Sequence, residues 1–484
     1  MSLLSTVEKV LTRSLMKSGK KGNAKNPAPP LNDSYVSIVK EAKSEYFSVG
    51  FGKQEIMPPE GVTGKKKYYV AGYRVNNPAT GVLDPMMAKA IWIDDQSGAG
   101  GVVFCSVDCV GLFKYDVDLV KESLKDFVKE TGCRSINICS THNHAGIDTM
   151  GLWGPLPRSG RDKEFMQIVR NGIKKAIELA YADRREGSLY LGYGRADEGM
   201  QRDDRLPRVF SDKLTRIRFV PNDGSREIYF VNFASHSESL EGKNSLVSAD
   251  FPAYIAEEIM AQKGAETVYF VGAIGGLVRM WPMDDDNVIS TKKTGKRLGE
   301  IVCDIKDEVK LEPKISLAKR EFYVEAENSV LIAASKILKI IPSKVYYIGA
   351  GKYGMGHKSE MTYIEIGSLK MLLIPGEIFP ELVYGGYLSA EESAEGKGPE
   401  INPKPLCEIA GDENLLVFGL ANDEIGYIVT PNDFYLHPEI PYLDKTQDRL
   451  GRRHYEETNS LGPNTAYKIA EMFEKLLKDI KNAE

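Results

Sequence analysis

Four apolar runs in this chain each end just before side chains able to bind a cation, and this repeated arrangement constrains the fold more than any other feature. SINICSTHNHAG carries the apolar run 136–139, followed by His142 and His144. IYFVNFASHSES carries the run 228–233, followed by His236. SLKMLLIPGE ends at Glu377, and NLLVFGLANDEIGY ends at Asn422, Asp423 and then Tyr427. Short apolar runs bounded by turn residues read as buried strands. In α/β sheets the loops beyond strand ends build binding sites. Imidazole and carboxylate suit zinc, and a phenolate oxygen is a rarer ligand. If the chain stays extended beyond residue 140, His142 and His144 point to one side, because strand side chains have period two. One histidine alone reads more simply as a hydrogen-bonded structural residue. For H-x-H at a strand end the two readings stand level, and spacing alone leaves convergence of the four segments open.

The remaining pattern alternates strand-like and helix-like segments. Strands are expected at AKAIWIDD, GVVFCSVD, SINICST, TRIRFV, IYFVNFAS, TVYFVGA, YIEIGS, KMLLIPG and NLLVFGL. Helices are expected over 116–131, 162–182, 250–263, 293–310 and 465–481. The expected class is α/β (α+β mixed), a large mixed β-sheet system flanked by helices. TVYFVGAIGGLVRM places Gly272, Gly275 and Gly276 at a further strand end. Backbone N–H groups at Gly275 and Gly276 could stabilise an oxyanion, or the segment is a tight turn between core elements. No Walker or Rossmann glycine motif follows a strand.

The chain has 484 residues, which at about 150 per domain suggests about three domains. No linker interrupts the pattern from residue 46 to the end, so 46–484 is expected to be one catalytic domain. Net charge is −5 with a pI near 5.9, and no dense basic stripe lies outside the N-terminus, which argues against nucleic acid. No apolar run approaches the ~18–20 residues that span a bilayer. Glu8, Lys9 and Arg13 interrupt any secretory h-region, which points to the cytoplasm. The six cysteines form no CxxC pair and read as reduced core residues. Residues 1–45 are expected to be separate: Leu3, Leu4, Val7, Val10, Leu11 and Leu15 share one face of a helix over 1–16, and KSGKKGNAKNPAPP reads as a basic flexible linker. Residues 1–25 offer a weak membrane-surface contact or a docking segment. The polar stretch 389–404 reads as a surface insertion.

Six segments in order resemble the N-terminal catalytic domain of the neutral/alkaline, non-lysosomal ceramidases, from about Val49 to about Thr465. They are VGFGKQEIMPPEG with VAGY, STHNHAG, ASHSESL with NSLVSADFPAY, LLIPGEIF, LANDEIGYIVTPNDF and HYEETNSLGPNTA. The resemblance implies one zinc ion held by His142, His236, Glu377 and Tyr427. It implies that His144 lines the site, that Arg202 contacts substrate and that Tyr455 is a second site tyrosine. The implied chemistry is attack of metal-activated water on an acyl carbonyl, with Arg202 and Tyr455 as oxyanion donors and His144 as the proton-transfer group.

Three departures accompany the resemblance. Where the family carries a catalytically important serine, this sequence has Arg279, and Leu277 stands at its aspartate. Arg279 could clamp a substrate carboxylate or phosphate, or it could pair with Asp284, Asp285 or Asp286. No immunoglobulin-like domain is expected after the helix at 465–481. No secretion signal is evident, although family members are often secreted. The expected function is a zinc-dependent amidohydrolase acting on a small-molecule or lipid-like acyl substrate, not necessarily ceramide. The alternatives are a zinc esterase or phosphoesterase on the same scaffold, or a non-catalytic metal- and ligand-binding homologue.

Overall fold

The computed structural model describes residues 3–483. Residues 1, 2 and 484, and the side chain of Leu3, belong to the segments anticipated above but lie outside the described residues.

Two large sheets stack face to face with helices on their outer sides, giving four layers. The larger sheet runs Glu266–Val271, Ile228–Phe233, Lys213–Pro221, Arg185–Arg195, Phe47–Glu55, Met87–Asp94, Val102–Val107, Ser135–Ser140. Its two end pairs are parallel and the pairs between them antiparallel. The second sheet runs Tyr35–Ser37, Ile315–Glu325, Met355–Ile366, Leu369–Leu373, Leu416–Phe418, and its last pair is parallel. The mixed α/β class is therefore as expected.

Period-two alternation decides which side chains enter which layer. Along Met87–Asp94, Ile91 and Ile93 join the core between the sheets, while Ala88, Ala90 and Trp92 face the helix layer. Phe104, Phe230, Phe270 and Phe418 form an aromatic cluster between the sheets, with the Phe104 and Phe418 rings stacked at 5.9 Å. Helix Lys163–Ala182 buries Phe165, Met166, Val169, Ile173, Ala176, Ile177 and Ala180 on its inner face, the spacing of an amphipathic helix. Each large side chain buried this way contributes about 1.5–3 kcal/mol. Helices Phe251–Lys263 and Asn287–Asp304 cover the other half of this face, and helix Thr465–Ala483 covers the second sheet.

Two segments depart from the sequence reading. The anticipated linker is helical through Lys25, because helix Leu3–Lys25 docks on the second sheet's surroundings. Gly19 and Gly22 make the docking possible: a Cβ at Gly19 would lie 1.8 Å from the Tyr353 carbonyl, and one at Gly22 would lie 2.2 Å from the Tyr347 ring. Leu15 is buried there, whereas Leu4, Val7 and Val10 stay exposed, so the expected apolar face is only partly covered. Residues 35–37 then add an edge strand. The helix expected over 293–310 is shifted to Asn287–Asp304, starting where Asp286 accepts from the Val288 and Ile289 amides. Residues 308–310 form a strand instead. Among the described residues no helix is long and apolar enough to cross a membrane. The cysteines are unbridged, five of them buried.

Candidate metal centre and cavity

The four metal-competent segments meet at one end of the two-sheet stack. Ser135–Ser140 and Ile228–Phe233 belong to the larger sheet and deliver His142, His144 and His236. Leu369–Leu373 and Leu416–Phe418 belong to the second sheet and deliver Glu377 and Tyr427. Beyond those strands, Glu377–Ile378 pairs in parallel with Tyr427–Ile428, in a register that sets Glu377 directly beside Tyr427. The larger sheet is tied across by Asn422, whose amide donates to the Ile138 carbonyl and whose side-chain oxygen accepts from the Ile138 amide.

His142 and His144 converge through a turn, not through an extended strand. His142 has φ 55°, so period-two geometry does not apply there. The Nε2 atoms of His142 and His144 nevertheless lie 2.9 Å apart. The candidate ligand nitrogens of His142, His144 and His236 all lie within 4.8 Å of one another. Glu377 Oε2 is 3.2 Å from Nε2 of both His142 and His236.

The second contacts of these rings fix their protons. His142 Nδ1 is 2.8 Å from the Val110 carbonyl, and His236 Nδ1 is 2.9 Å from the Val278 carbonyl. An N–H at Nδ1 makes each of these contacts, which leaves Nε2 of both rings directed towards Glu377. His236 Nε2 and Glu377 Oε2 are buried and make no hydrogen bond. Two imidazole nitrogens and a carboxylate oxygen converging in a buried pocket make a donor set that fits a metal ion. Burial, reinforced by His142 and His236, pushes His144 well below the ordinary imidazole range. Burial also lowers His236, but Glu377 outweighs it and the net shift is upward. Burial and then the Glu377 charge push the Tyr427 phenol well up.

A cavity of about 260 Å³ opens on this cluster. His142, His144, Glu377, Tyr427 and Tyr455 line its polar end, and Phe113, Met150, Leu152, Trp153, Leu331 and Leu461 line its apolar part. The Tyr427 and Tyr455 hydroxyls are 2.7 Å apart. Gly72, with φ 101°, lets the backbone lie against His144, where a Cβ would be 2.5 Å from the ring. The Tyr73 ring meets the same imidazole edge-on at 5.3 Å.

Arg202, Arg279, Gly275 and Gly276 do not line this cavity. Arg202 pairs with Asp204 at 3.1 Å and stacks 4.0 Å from the Trp281 ring. Arg279 lies beside it in the strand pair Val278–Met280 with Gln201–Asp203. Its partners are Asp204 at 2.8 Å, Glu238 at 3.5 Å and Glu241 at 3.8 Å, not Asp284, Asp285 or Asp286. Asp284 instead pairs with Lys293, and Asp286 caps a helix. The guanidinium thus already has carboxylate partners within the fold. The Gly275 amide donates to the Ile378 carbonyl at 2.9 Å, and Gly275 packs against Phe379, so that N–H is not free for an oxyanion. Gly276, at φ 78°, turns the chain beside Asp203.

Two carboxyl groups of the site escaped the sequence reading. Glu238 Oε2 lies 3.3 Å from His144 Nδ1, and its other oxygen faces Arg279. Glu424 lines the cavity with Oε1 accepting from the Gly426 amide at 2.8 Å and Oε2 buried without a partner. Burial and then the Glu377 charge push Glu424 well above the carboxylate range. Both were within reach of the motifs: Glu238 is two residues after His236, and Glu424 follows Asp423.

Residues 47–277 match the family model described as neutral/alkaline non-lysosomal ceramidase, N-terminal. Among solved structures, the fold is similar to the crystal structure of neutral ceramidase from Pseudomonas aeruginosa, with TM-score 0.68 and 16% identity over 91% of this chain and 75% of that one. It is equally similar to a ceramidase complexed with C2, with TM-score 0.67 and 16% identity over 91% of this chain and 76% of that one.

Proposed function

We propose that the chain is a member of the neutral/alkaline non-lysosomal ceramidase family, whose N-terminal model matches residues 47–277, and that it is a zinc-dependent amidohydrolase cleaving an N-acyl bond with water. The observation that carries this reading is the buried cluster in which His142 and His236 both turn Nε2 to Glu377 Oε2 at 3.2 Å. His142, His236, Glu377 and Tyr427 would hold the ion. When bound, zinc supplies a Lewis acid and lowers the pKa of bound water towards ~7.

The side chains around that centre divide the remaining work. His144 is neutral at working pH because burial and its neighbouring imidazoles hold its pKa low. It accepts a proton at Nε2 and returns it to the leaving nitrogen. Glu238, facing Nδ1, orients the ring. The Tyr455 hydroxyl, held by Tyr427, donates to the oxygen on which charge develops. The apolar wall from Phe113 to Leu461 takes the acyl chain and excludes water. Arg202 and Arg279, which do not line the cavity and both pair with Asp204, are assigned a role in shaping the loop behind His236. An esterase would use the same groups. A phosphoesterase is disfavoured, since no lysine or arginine lines the cavity among the described residues.

The test combines metal analysis with turnover. The purified protein should contain about one zinc ion per chain. It should hydrolyse members of a fluorogenic N-acyl amide panel, lose activity to a chelator and regain it with zinc. Undiminished turnover of metal-free protein, or no hydrolysis of any acyl amide or ester by the zinc-loaded protein, would overturn the assignment.

A further inference from the structure

We infer that Glu424 is a specificity-determining residue that selects a ligand bearing an amine, separate from the nitrogen of the bond that is cleaved. This inference rests on the hydrolase reading for its substrate, but its binding component does not.

Glu424 is 4% exposed and sits in the cavity wall. Its Oε1 is fixed by the Gly426 N–H, and that amide defines the carboxyl plane. Oε2 has no hydrogen-bond partner. A buried polar atom left unmatched is costly, so a ligand that satisfies it gains correspondingly. No arginine or lysine lines the cavity to do so. The neighbouring acid is Glu377, and Asp423 directs its own oxygens to the Lys114 and Glu424 amides and to Ser359. The Glu424 side chain is also held in place by packing: a Cβ at Gly111 would lie 2.9 Å from Glu424 Cγ and 2.8 Å from Met150 Sδ.

The unmatched atom has no partner in the wall, and the chemistry of a carboxyl decides which ligand group suits it. Glu377 is taken up by the proposed ion, which leaves Glu424 as the acidic group of the wall, and no arginine or lysine among the described residues lines the cavity to pair with it. A primary amine matches the carboxyl in either protonation state: a carboxylate takes an ammonium directly, and a neutral acid passes its proton to a neutral amine, giving the same ion pair. The aromatic wall offered by Phe113, Trp153 and Tyr73 is compatible with an alkylammonium passing along it.

Hexylamine and hexanol, which match in length, are the probes. Titrated calorimetrically into the zinc-loaded protein, the amine should bind about 10–100-fold more tightly than the alcohol, the effect of a charge-assisted hydrogen bond. Glu424→Gln is the test variant. With its oxygen still held by Gly426, it presents an NH₂ where Oε2 stood and should bring the ratio to near one. The corresponding turnover test compares coumarin amides of hexanoic and aminohexanoic acids, whose kcat/KM ratio should favour the amine and fall in the variant. Equal affinity for the two probes in the unaltered protein, or an amine preference that survives Glu424→Gln, would overturn the inference. Preferential amine binding with no hydrolysis of any substrate would support this assignment while removing the hydrolase reading.

Discussion

Glu377 Oε2 stands 3.2 Å from His142 Nε2, while the other ring nitrogen lies 2.8 Å from the Val110 carbonyl. With Nδ1 donating to the Val110 carbonyl, Nε2 is the atom His142 has left for an ion shared with Glu377. Zinc should therefore raise the thermal midpoint of the metal-free protein, because it binds the folded state only. At a hundredfold excess over Kd the gain is about 2.7 kcal/mol. Glu377→Ala should abolish this zinc-dependent shift and reduce metal content to background by mass spectrometry. A variant that still binds stoichiometric zinc would remove Glu377 from the ligand set.

Glu238 should act through His144. Losing a partner of this kind typically costs about 10–100-fold in activity. Glu238→Ala is expected to lower kcat by that factor with little change in KM, and to shift the acid limb of the pH–rate profile. Glu238→Asp should restore part of it. If Glu238→Ala affected only stability, the residue would be structural.

Replacing Arg279 should reveal a packing role. Its guanidinium is 20% exposed and neutralises Asp204 and Glu238, which are 32% and 6% exposed at the side chain. Discounted for that exposure, Arg279→Ala should cost about 1 kcal/mol in urea unfolding. It should not alter the relative kcat/KM of anionic and neutral substrates. A selective loss of turnover of anionic substrates would revive the anion-clamp reading.

Acid sensitivity should come from a second buried network. Arg205 bonds Glu456, Glu457 and Asp433, while Arg452 joins Asp433 to Asp448. Burial opposes ionisation of Glu457, but Arg205 and His454 outweigh it and hold the carboxyl at about 2. At Asp448 burial is outweighed by the Arg452 amide and guanidinium, also giving about 2. Both folded values lie below the unfolded ones of 4.5 and 3.8, so the stabilisation is complete above pH ~5 and is lost as pH falls towards ~2. Unfolding followed by circular dichroism should show this loss. Glu457→Gln should flatten the slope between pH ~4 and ~2.

The sequence by itself determined the strands, their ends and the metal-competent side chains placed just beyond them. Apolar runs with turn residues at their borders are a local signal, and strand burial follows from the same residues that create it. The cluster of His142, His144, His236, Glu377 and Tyr427 was accordingly legible from spacing joined to family resemblance. Only the tertiary structure decided how these residues meet. The His142–His144 convergence depends on a left-handed turn that period-two reasoning excludes. Adjacency of Glu377 and Tyr427 is a matter of strand register between segments fifty residues apart in sequence. The fates of Arg279 and Gly275 could not be read either: what occupies a guanidinium or an amide is settled by distant residues, here Asp204, Glu238 and Ile378. The N-terminal glycines show the same limit, since flexibility in an isolated segment becomes close packing once Tyr347 and Tyr353 are brought against it. Local preference is written in neighbouring residues, whereas burial, charge pairing and lone-pair direction exist only after the chain has closed on itself.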